Sequence, residues 1–259
     1  MPGGQAQAGG PDRHSKFARD GRAVGRSRID DATGRSRELG QHFLASERLA
    51  ARLVADAGVT FGHRAVDLGA GRGALTAALA VTGASVLAVE IDDELARGLS
   101  VRFADAANVT VLRADVCDVP LPVTPYRVVA NPPFGRTSAV LRRWLDAPAG
   151  GLERADLIVQ WQVARHRARV DAGGTADLLG AIWGPWWRFD RGRRLPAACF
   201  RPRPAVDAAV LVVNRRDPPL LPVEAFAEYR AFIAAAFARR SDQRAPIEDW
   251  TARFSNLRS

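Results

Sequence analysis

Arg64-Ala65-Val66-Asp67-Leu68-Gly69-Ala70-Gly71-Arg72-Gly73-Ala74-Leu75-Thr76 is the stretch whose reading decides the fold. Residues 64 to 68 are short and mostly apolar, as in a buried strand, and residues 74 to 82 resume as an apolar helix. Three glycines stand between them. A glycine-rich turn at a helix amino end lets the backbone approach a ligand without a steric penalty. Gly69, Gly71 and Ala74 also satisfy the dinucleotide fingerprint, so this loop alone leaves a nicotinamide cofactor open.

The alternation continues outward. Residues 85 to 91 read as a strand and 93 to 103 as a helix, with further strands over 109 to 114 and 126 to 130. A helix over 137 to 145 and a strand over 156 to 163 follow. Such alternation predicts an α/β fold, a parallel sheet with helices on both faces. Upstream, Ser46 is a candidate N-cap, and Leu49, Leu53 and Val54 fall at helical spacing, so a helix should run to about residue 57. Past Ala164 come an Arg-rich helix, the run Trp183-Gly184-Pro185-Trp186-Trp187, a basic strand-like stretch and an apolar strand over 208 to 213. The tryptophans read as packing residues. Pro218, Pro219 and Pro222 suggest a linker, 226 to 240 an amphipathic helix, and the remainder a second one. The expected organisation is a mobile basic tail over 1–37, a catalytic domain over 38–216 and a small helical C-terminal lobe over 217–259.

The chain has 259 residues, 47% of them hydrophobic, enough to bury a substantial core. No run approaches the ~20 apolar residues of a membrane span, and Met1 to Gly10 lacks the blocks of a signal peptide, so a cytoplasmic location without membrane attachment is expected. Cys117 and Cys199 have neither metal-ligand nor disulfide spacing; both read as packing residues, and no metal is expected. The net charge of +9 and the pI near 11.0 favour a polyanionic partner. The distribution is more informative. Residues 64 to 118 hold five Arg against eight Asp and Glu, or −3, whereas 183 to 216 hold eight Arg against two Asp, or +6. One region suits a small ligand; the other suits a phosphate backbone. Up to Gly40 the chain adds eight basic and five acidic residues, as a solvated leader or as an arm that searches for phosphates.

Four successive strand ends carry chemistry. Asp67 precedes the glycine loop. Glu90 lies 21 residues beyond Gly69, placed to accept both hydroxyls of a ribose, and Asp115 closes the next strand, where a carboxylate can accept an adenine amino proton. Asn131-Pro132-Pro133-Phe134 closes the fourth. Proline cannot donate to a ladder, so the strand stops at Asn131, on the carboxyl edge where open α/β sheets bind ligands. The Asn131 side-chain oxygen and the Pro132 carbonyl can accept from an NH2 group while Phe134 offers a stacking face. That set points to methylation of an exocyclic amine. Cytosine C5 methylation would need a cysteine at this loop, and none is there. The ordered strand ends resemble those of Rossmann-like S-adenosylmethionine-dependent methyltransferases.

Gly40-Gln41-His42-Phe43-Leu44, the loop from Asp67 to Gly73, Val89-Glu90-Ile91-Asp92, Ala114-Asp115, Ala130 to Phe134 and Phe200-Arg201-Pro202-Arg203-Pro204-Ala205-Val206-Asp207 together resemble the ribosomal RNA adenine N6-dimethylase family, and within it the Erm methyltransferases. The resemblance covers about residues 38 to 240. It implies S-adenosyl-L-methionine as cofactor, contacted by His42, Leu44, Asp67, Gly69, Gly71, Glu90, Asp115 and Asn131, with Asn131, Pro132 and Phe134 catalytic. It implies a monomer that methylates N6 of one adenine in the peptidyl transferase loop of 23S ribosomal RNA before assembly is complete. Macrolide, lincosamide and streptogramin B resistance would follow. Two departures stand out: His42 replaces the usual Asn, and the segment after Arg240 does not match the family's helical lobe. Asn-Pro-Pro-Phe favours the Erm type over the small-subunit enzymes, which usually carry Asn-Leu-Pro-Tyr. A small-subunit dimethylase, a DNA adenine methyltransferase and a non-catalytic RNA-binding relative are the alternatives.

Overall fold

The structure is a computed structural model that describes residues 41–120, 122–171, 173–239 and 245–257. The tail expected over 1–37 lies outside the described residues. The chain opens on β1 (Phe43–Leu44) and α1 (Glu47–Asp56), and Ser46 caps α1 by accepting from the Leu49 N–H at 3.3 Å. Then β2 (Arg64–Leu68), α2 (Ala74–Val81), β3 (Ser85–Glu90), α3 (Asp93–Arg102) and β4 (Val109–Arg113) alternate as the apolar pattern requires. Asp92 caps α3, its carboxylate taking the Glu94 and Leu95 N–H groups. β5 (Tyr126–Ala130), α4 (Thr137–Leu145), β6 (Leu152–Gln160), α5 (Trp161–Ala168) and α6 (Leu178–Trp183) follow. The chain continues through β7 (Trp187–Leu195), β8 (Phe200–Arg201), β9 (Ala208–Arg215), α7 (Phe226–Arg239) and α8 (Ile247–Asn256).

Seven of these strands form one sheet in the order β4-β3-β2-β5-β6-β9-β7, and β1 pairs with β8 in a separate two-stranded ribbon. The expectation of a parallel sheet holds for the alternating strands from β4 to β6; beyond them β9 and β7, whose direction the sequence left open, run antiparallel to their neighbours. The reason is connection length. The segment between β7 and β9 already contains β8, held on β1, and besides a single 3₁₀ turn has no α-helix to carry a parallel crossover. The last parallel strand is also displaced, running over Leu152–Gln160 instead of 156 to 163. Its charged start is tolerated because Arg154 and Asp156, on one face, form a bidentate pair at 2.7 and 2.8 Å. At its other end the Trp161 N–H turns to the Asp207 carbonyl, and α5 begins there.

The largest core cluster joins β2, β5, β6, β9 and α4 to the C-terminal helices. Trp144, Trp183, Trp186, Trp187 and Trp250 are all under 2% exposed, as packing residues should be. Trp183 Nε1 donates to Asp146 Oδ1 at 2.7 Å, and the Trp186 ring meets Phe226 and Tyr229 edge-on at 5.2 and 5.6 Å. The proline segment expected as a linker is tied to this core, since the Leu220 N–H donates to the Pro185 carbonyl at 2.8 Å. Both cysteines are half-buried against the cores. Among the described residues no helix is long and apolar enough to cross a membrane.

Candidate active site

The parallel strands end on one edge, and their following residues surround a cavity of about 290 Å³. Gly69 after β2, Glu90 at the end of β3, Asp115 after β4 and Asn131 after β5 line it, with His42 and Phe43 from the β1 segment and Arg136 beyond the Asn-Pro-Pro-Phe loop. Leu44 and Asp67 border a smaller adjoining hollow of about 30 Å³ that shares Gly69 and Asn131.

The glycine loop is held in place by a buried carboxylate. Glu90 is 1% exposed; its Oε2 accepts from the Gly71 N–H at 2.8 Å, and its Oε1 from the Ile91 and Asp92 N–H groups at 2.9 and 3.0 Å. Oε2 keeps a lone pair for a ligand hydroxyl. Gly71 has φ +57°, and a Cβ there would lie 2.7 Å from the Phe43 ring, so only glycine fits both its backbone and its neighbour. Asp67 sits beneath this loop, 1% exposed. Its Oδ2 accepts from Thr76 Oγ1 at 2.7 Å, and among the described residues its Oδ1 has no partner. Burial pushes its carboxyl up to about 7, against the Thr76 hydrogen bond, and the Glu90 charge adds to the rise.

Asp115 is more occupied than the sequence suggested. Its Oδ1 accepts from the Cys117 N–H at 2.8 Å, and Arg136 Nη2 lies 3.0 and 2.8 Å from its two oxygens. The Cys117 N–H and then the Arg136 guanidinium hold this carboxyl below the usual range. The Cys117 thiol is pushed up by burial, which leaves it a poor nucleophile.

Asn131 Nδ2 donates to the His42 carbonyl at 2.6 Å. Only the NH2 end of an amide can bond a carbonyl, so Oδ1 is the end left over. Among the described residues no donor reaches Asn131 Oδ1 or the Pro132 carbonyl. The His42 ring, Nδ1 donating, bonds the Pro202 carbonyl at 2.9 Å, and its centroid is 5.4 Å from that of Phe134. The His42 side chain therefore faces the β8 segment and the tetrapeptide together. Pro132 is buried behind the cavity. Phe134 opens a 3₁₀ turn to Arg136, between His42 and an edge-on Phe200 at 6.3 Å.

His42, Gly69, Glu90, Asp115 and Asn131 are thus brought to one cavity, Leu44 and Asp67 to its neighbour, and Gly71 joins through its backbone N–H. Sequence reasoning missed three participants: Arg136, Phe43 and Thr76. Arg136 lay two residues past the tetrapeptide, and Phe43 between two residues already singled out. The basic 183 to 216 segment divides. Arg215 donates to the Leu152, Pro148 and Gly150 carbonyls and Arg216 to Gly184 and Asp171, so both brace the fold.

A glycine turn after the first sheet strand, acidic side chains closing the next two and Asn-Pro-Pro-Phe closing the fourth define an S-adenosylmethionine-dependent methyltransferase. The cofactor fits: the turn admits close approach, the carboxylates are acceptors for hydroxyl and amino groups, and the cavity joins them. The chain belongs to the ribosomal RNA adenine dimethylase family, whose profile matches residues 33–245. It is similar to an rRNA adenine N-6-methyltransferase of Corynebacterium diphtheriae, 38% identical over 203 residues that cover 78% of each chain. It is 37% identical to the mycinamicin-resistance protein MyrB of Micromonospora griseorubida over 80% of its own length and 64% of that protein. The crystal structure of the 23S rRNA methyltransferase ErmE superposes with a TM-score of 0.68 at 29% identity, covering 78% of this chain and 81% of that one. The chain is an S-adenosylmethionine-dependent ribosomal RNA adenine N6-methyltransferase.

Proposed function

We propose that the enzyme methylates N6 of a single adenine in the peptidyl transferase loop of 23S ribosomal RNA and so confers resistance to macrolides, lincosamides and streptogramin B. The observation that carries the chemistry is the Asn131 amide, fixed through Nδ2 on the His42 carbonyl with Oδ1 unengaged beside a free Pro132 carbonyl. The Asn-Pro-Pro-Phe tetrapeptide and the likeness to ErmE and MyrB support the large-subunit target over the small-subunit one.

An adenine N6 lone pair is delocalised into the ring, so the amine is a weak nucleophile until it rehybridises. Asn131 Oδ1 and the Pro132 carbonyl accept its two hydrogens and draw them out of the ring plane. The lone pair is thereby freed and aimed, by orientation and preorganised dipoles. Phe134 stacks on the extruded base, a contact worth about 1 to 3 kcal/mol. Glu90 Oε2 takes a ribose hydroxyl and Asp115 an adenine amino group of the cofactor, while Gly69 and Gly71 give its chain room. S-adenosylmethionine supplies an electrophilic methyl group on a sulfonium sulfur. Neither acceptor is basic enough to keep the N6 proton, which passes to solvent after transfer. In this reading the protein acts as a cytoplasmic monomer on RNA not yet assembled into a subunit.

Expression in a macrolide-sensitive host, followed by primer extension on both ribosomal RNAs, tests the assignment. A new stop at one adenine of 23S RNA together with resistance is expected. A stop in 16S RNA alone would replace this reading with that of a small-subunit dimethylase.

A further inference from the structure

Part of the charged 183 to 216 segment that does not brace the fold gathers around one tryptophan. Trp161 is half-buried at the first position of α5, directly after β6. The guanidinium carbons of Arg191 and Arg194 lie 4.6 and 4.8 Å from its ring centroid. Arg194 is tied to Asp207 Oδ2 at 2.8 Å, and the other oxygen of Asp207 takes the Ala197 N–H at 2.9 Å. Arg203, on the loop after β8, acts on the same carboxylate electrostatically. Arg191 and Arg203 are exposed, and among the described residues neither has a carboxylate within ion-pair distance. Three guanidinium groups thus gather here, Arg194 and Arg203 beside the Asp207 carboxylate and Arg191 with Arg194 over the Trp161 ring. One of them is fixed by an ion pair and two rest on an indole, which lowers the entropy lost when an anion binds.

The location relates this cluster to the chemistry. Ala130 of β5 pairs with Leu157 of β6, Leu157 with Leu211 of β9, and Leu211 with Arg191 of β7, so Arg191 is level with the strand end that carries Asn131. Three strand spacings separate β5 from β7, about 14 Å. The same β8 loop that carries Arg203 holds His42 through the Pro202 carbonyl, so the cluster stands just outside the wall of the active site.

We propose that Trp161, Arg191, Arg194 and Arg203 form an anchor for the phosphodiester backbone of the RNA strand that carries the target adenine, a few nucleotides from the extruded base. The inference rests on the reading of the chain as an RNA methyltransferase. It separates arginines that grip RNA from neighbours in sequence that do not. Arg188 is the internal control: it is exposed on the same strand, but pairs with Asn214 toward the opposite edge of the sheet.

The test compares wild type, Arg191→Gln/Arg203→Gln and Arg188→Gln on a protein-free 23S RNA fragment, measuring binding over a salt series and methyl-transfer kinetics. Each phosphate contact contributes roughly 0.7 to 0.9 to the slope of log K against log salt, so the double variant should lose about 1.4 to 1.8 of slope. Its RNA KM should rise at least about tenfold at physiological salt, with kcat and the S-adenosylmethionine KM unchanged. Arg188→Gln should match wild type. A double variant with the wild-type slope, or an equal loss in Arg188→Gln, would overturn the anchor. Failure of the wild type to methylate the fragment would instead strike the functional reading beneath it.

Discussion

Glu90→Gln is the most informative single substitution for the cofactor half of the site, because it preserves shape and changes only hydrogen-bond polarity. All three groups bonded to Glu90 are backbone donors: Ile91 and Asp92 on Oε1 and Gly71 on Oε2. A glutamine can keep two of them on its carbonyl oxygen, and its NH2 must then face the Gly71 N–H. That bond is lost, and a buried donor loses its acceptor. A hydrogen bond to a charged group is worth about 1.5 to 3 kcal/mol, so stability should fall by that order. The remaining lone pair of Oε2, assigned to a ribose hydroxyl, disappears with the same substitution. Its loss should cost a further ~1.5 to 3 kcal/mol of cofactor binding, or about 10- to 150-fold in Kd. Calorimetric titration with S-adenosylmethionine reads this directly, alongside RNA binding, which should be unchanged. A folded variant whose cofactor Kd stays within about twofold of wild type would refute the role of Glu90, because losing a hydrogen bond to a charged group weakens binding by at least about tenfold.

Other consequences follow from the same geometry. Asp67 has a folded-state pKa of about 7 against 3.8 for the free side chain, so the fold favours its neutral form. The stability this group contributes is fully present below about 3.8 and lost as pH rises through about 7. Urea unfolding should therefore show stability falling between about pH 4 and pH 7.5, a fall that Asp67→Asn flattens; an unaltered profile would count against a neutral Asp67. Gly71→Ala places a Cβ against Phe43 at positive φ, where a non-glycine residue costs about 1 to 2 kcal/mol, and should raise the S-adenosylmethionine KM more than the RNA KM. Trp250→Ala removes a side chain 1% exposed from the core shared by the sheet and the C-terminal helices, and should lower unfolding free energy by about 3 to 5 kcal/mol in a single transition. Two separate transitions would show that the helices are an independent unit.

The parts of the fold read correctly from sequence are those where a local pattern and its burial agree. The β2 to α2 unit, the Ser46 cap and α4 were legible because strand length, capping residue and helical spacing all pointed one way. The antiparallel strands were not, since an apolar run such as residues 208 to 213 fits a buried strand of either direction and only the connection decides. The start of α5 was misplaced because Trp161 and Val163 extend the apolar character of β6 without a break, while the turn is enforced by a bond to Asp207, distant in sequence. At the site, the spacing of strand ends located Glu90, Asp115 and Asn131 around one cavity. What each carboxylate is bonded to depended on Gly71 and Arg136, and no periodicity carries that information. His42, a departure from the family's usual Asn, is explained by contacts with Pro202 and Phe134 that only the fold brings together.

The central claim is that the Asn131 oxygen, with the Pro132 carbonyl, presents an adenine N6 for methyl transfer. Transfer of a labelled methyl group from S-adenosylmethionine to protein-free 23S RNA by wild type and Asn131→Ala, with nucleoside analysis of the product, measures it most directly. Wild type should yield label on adenine N6, and Asn131→Ala should bind RNA and cofactor but transfer essentially nothing. Full transfer by Asn131→Ala, or label recovered on any atom other than adenine N6, would contradict the account.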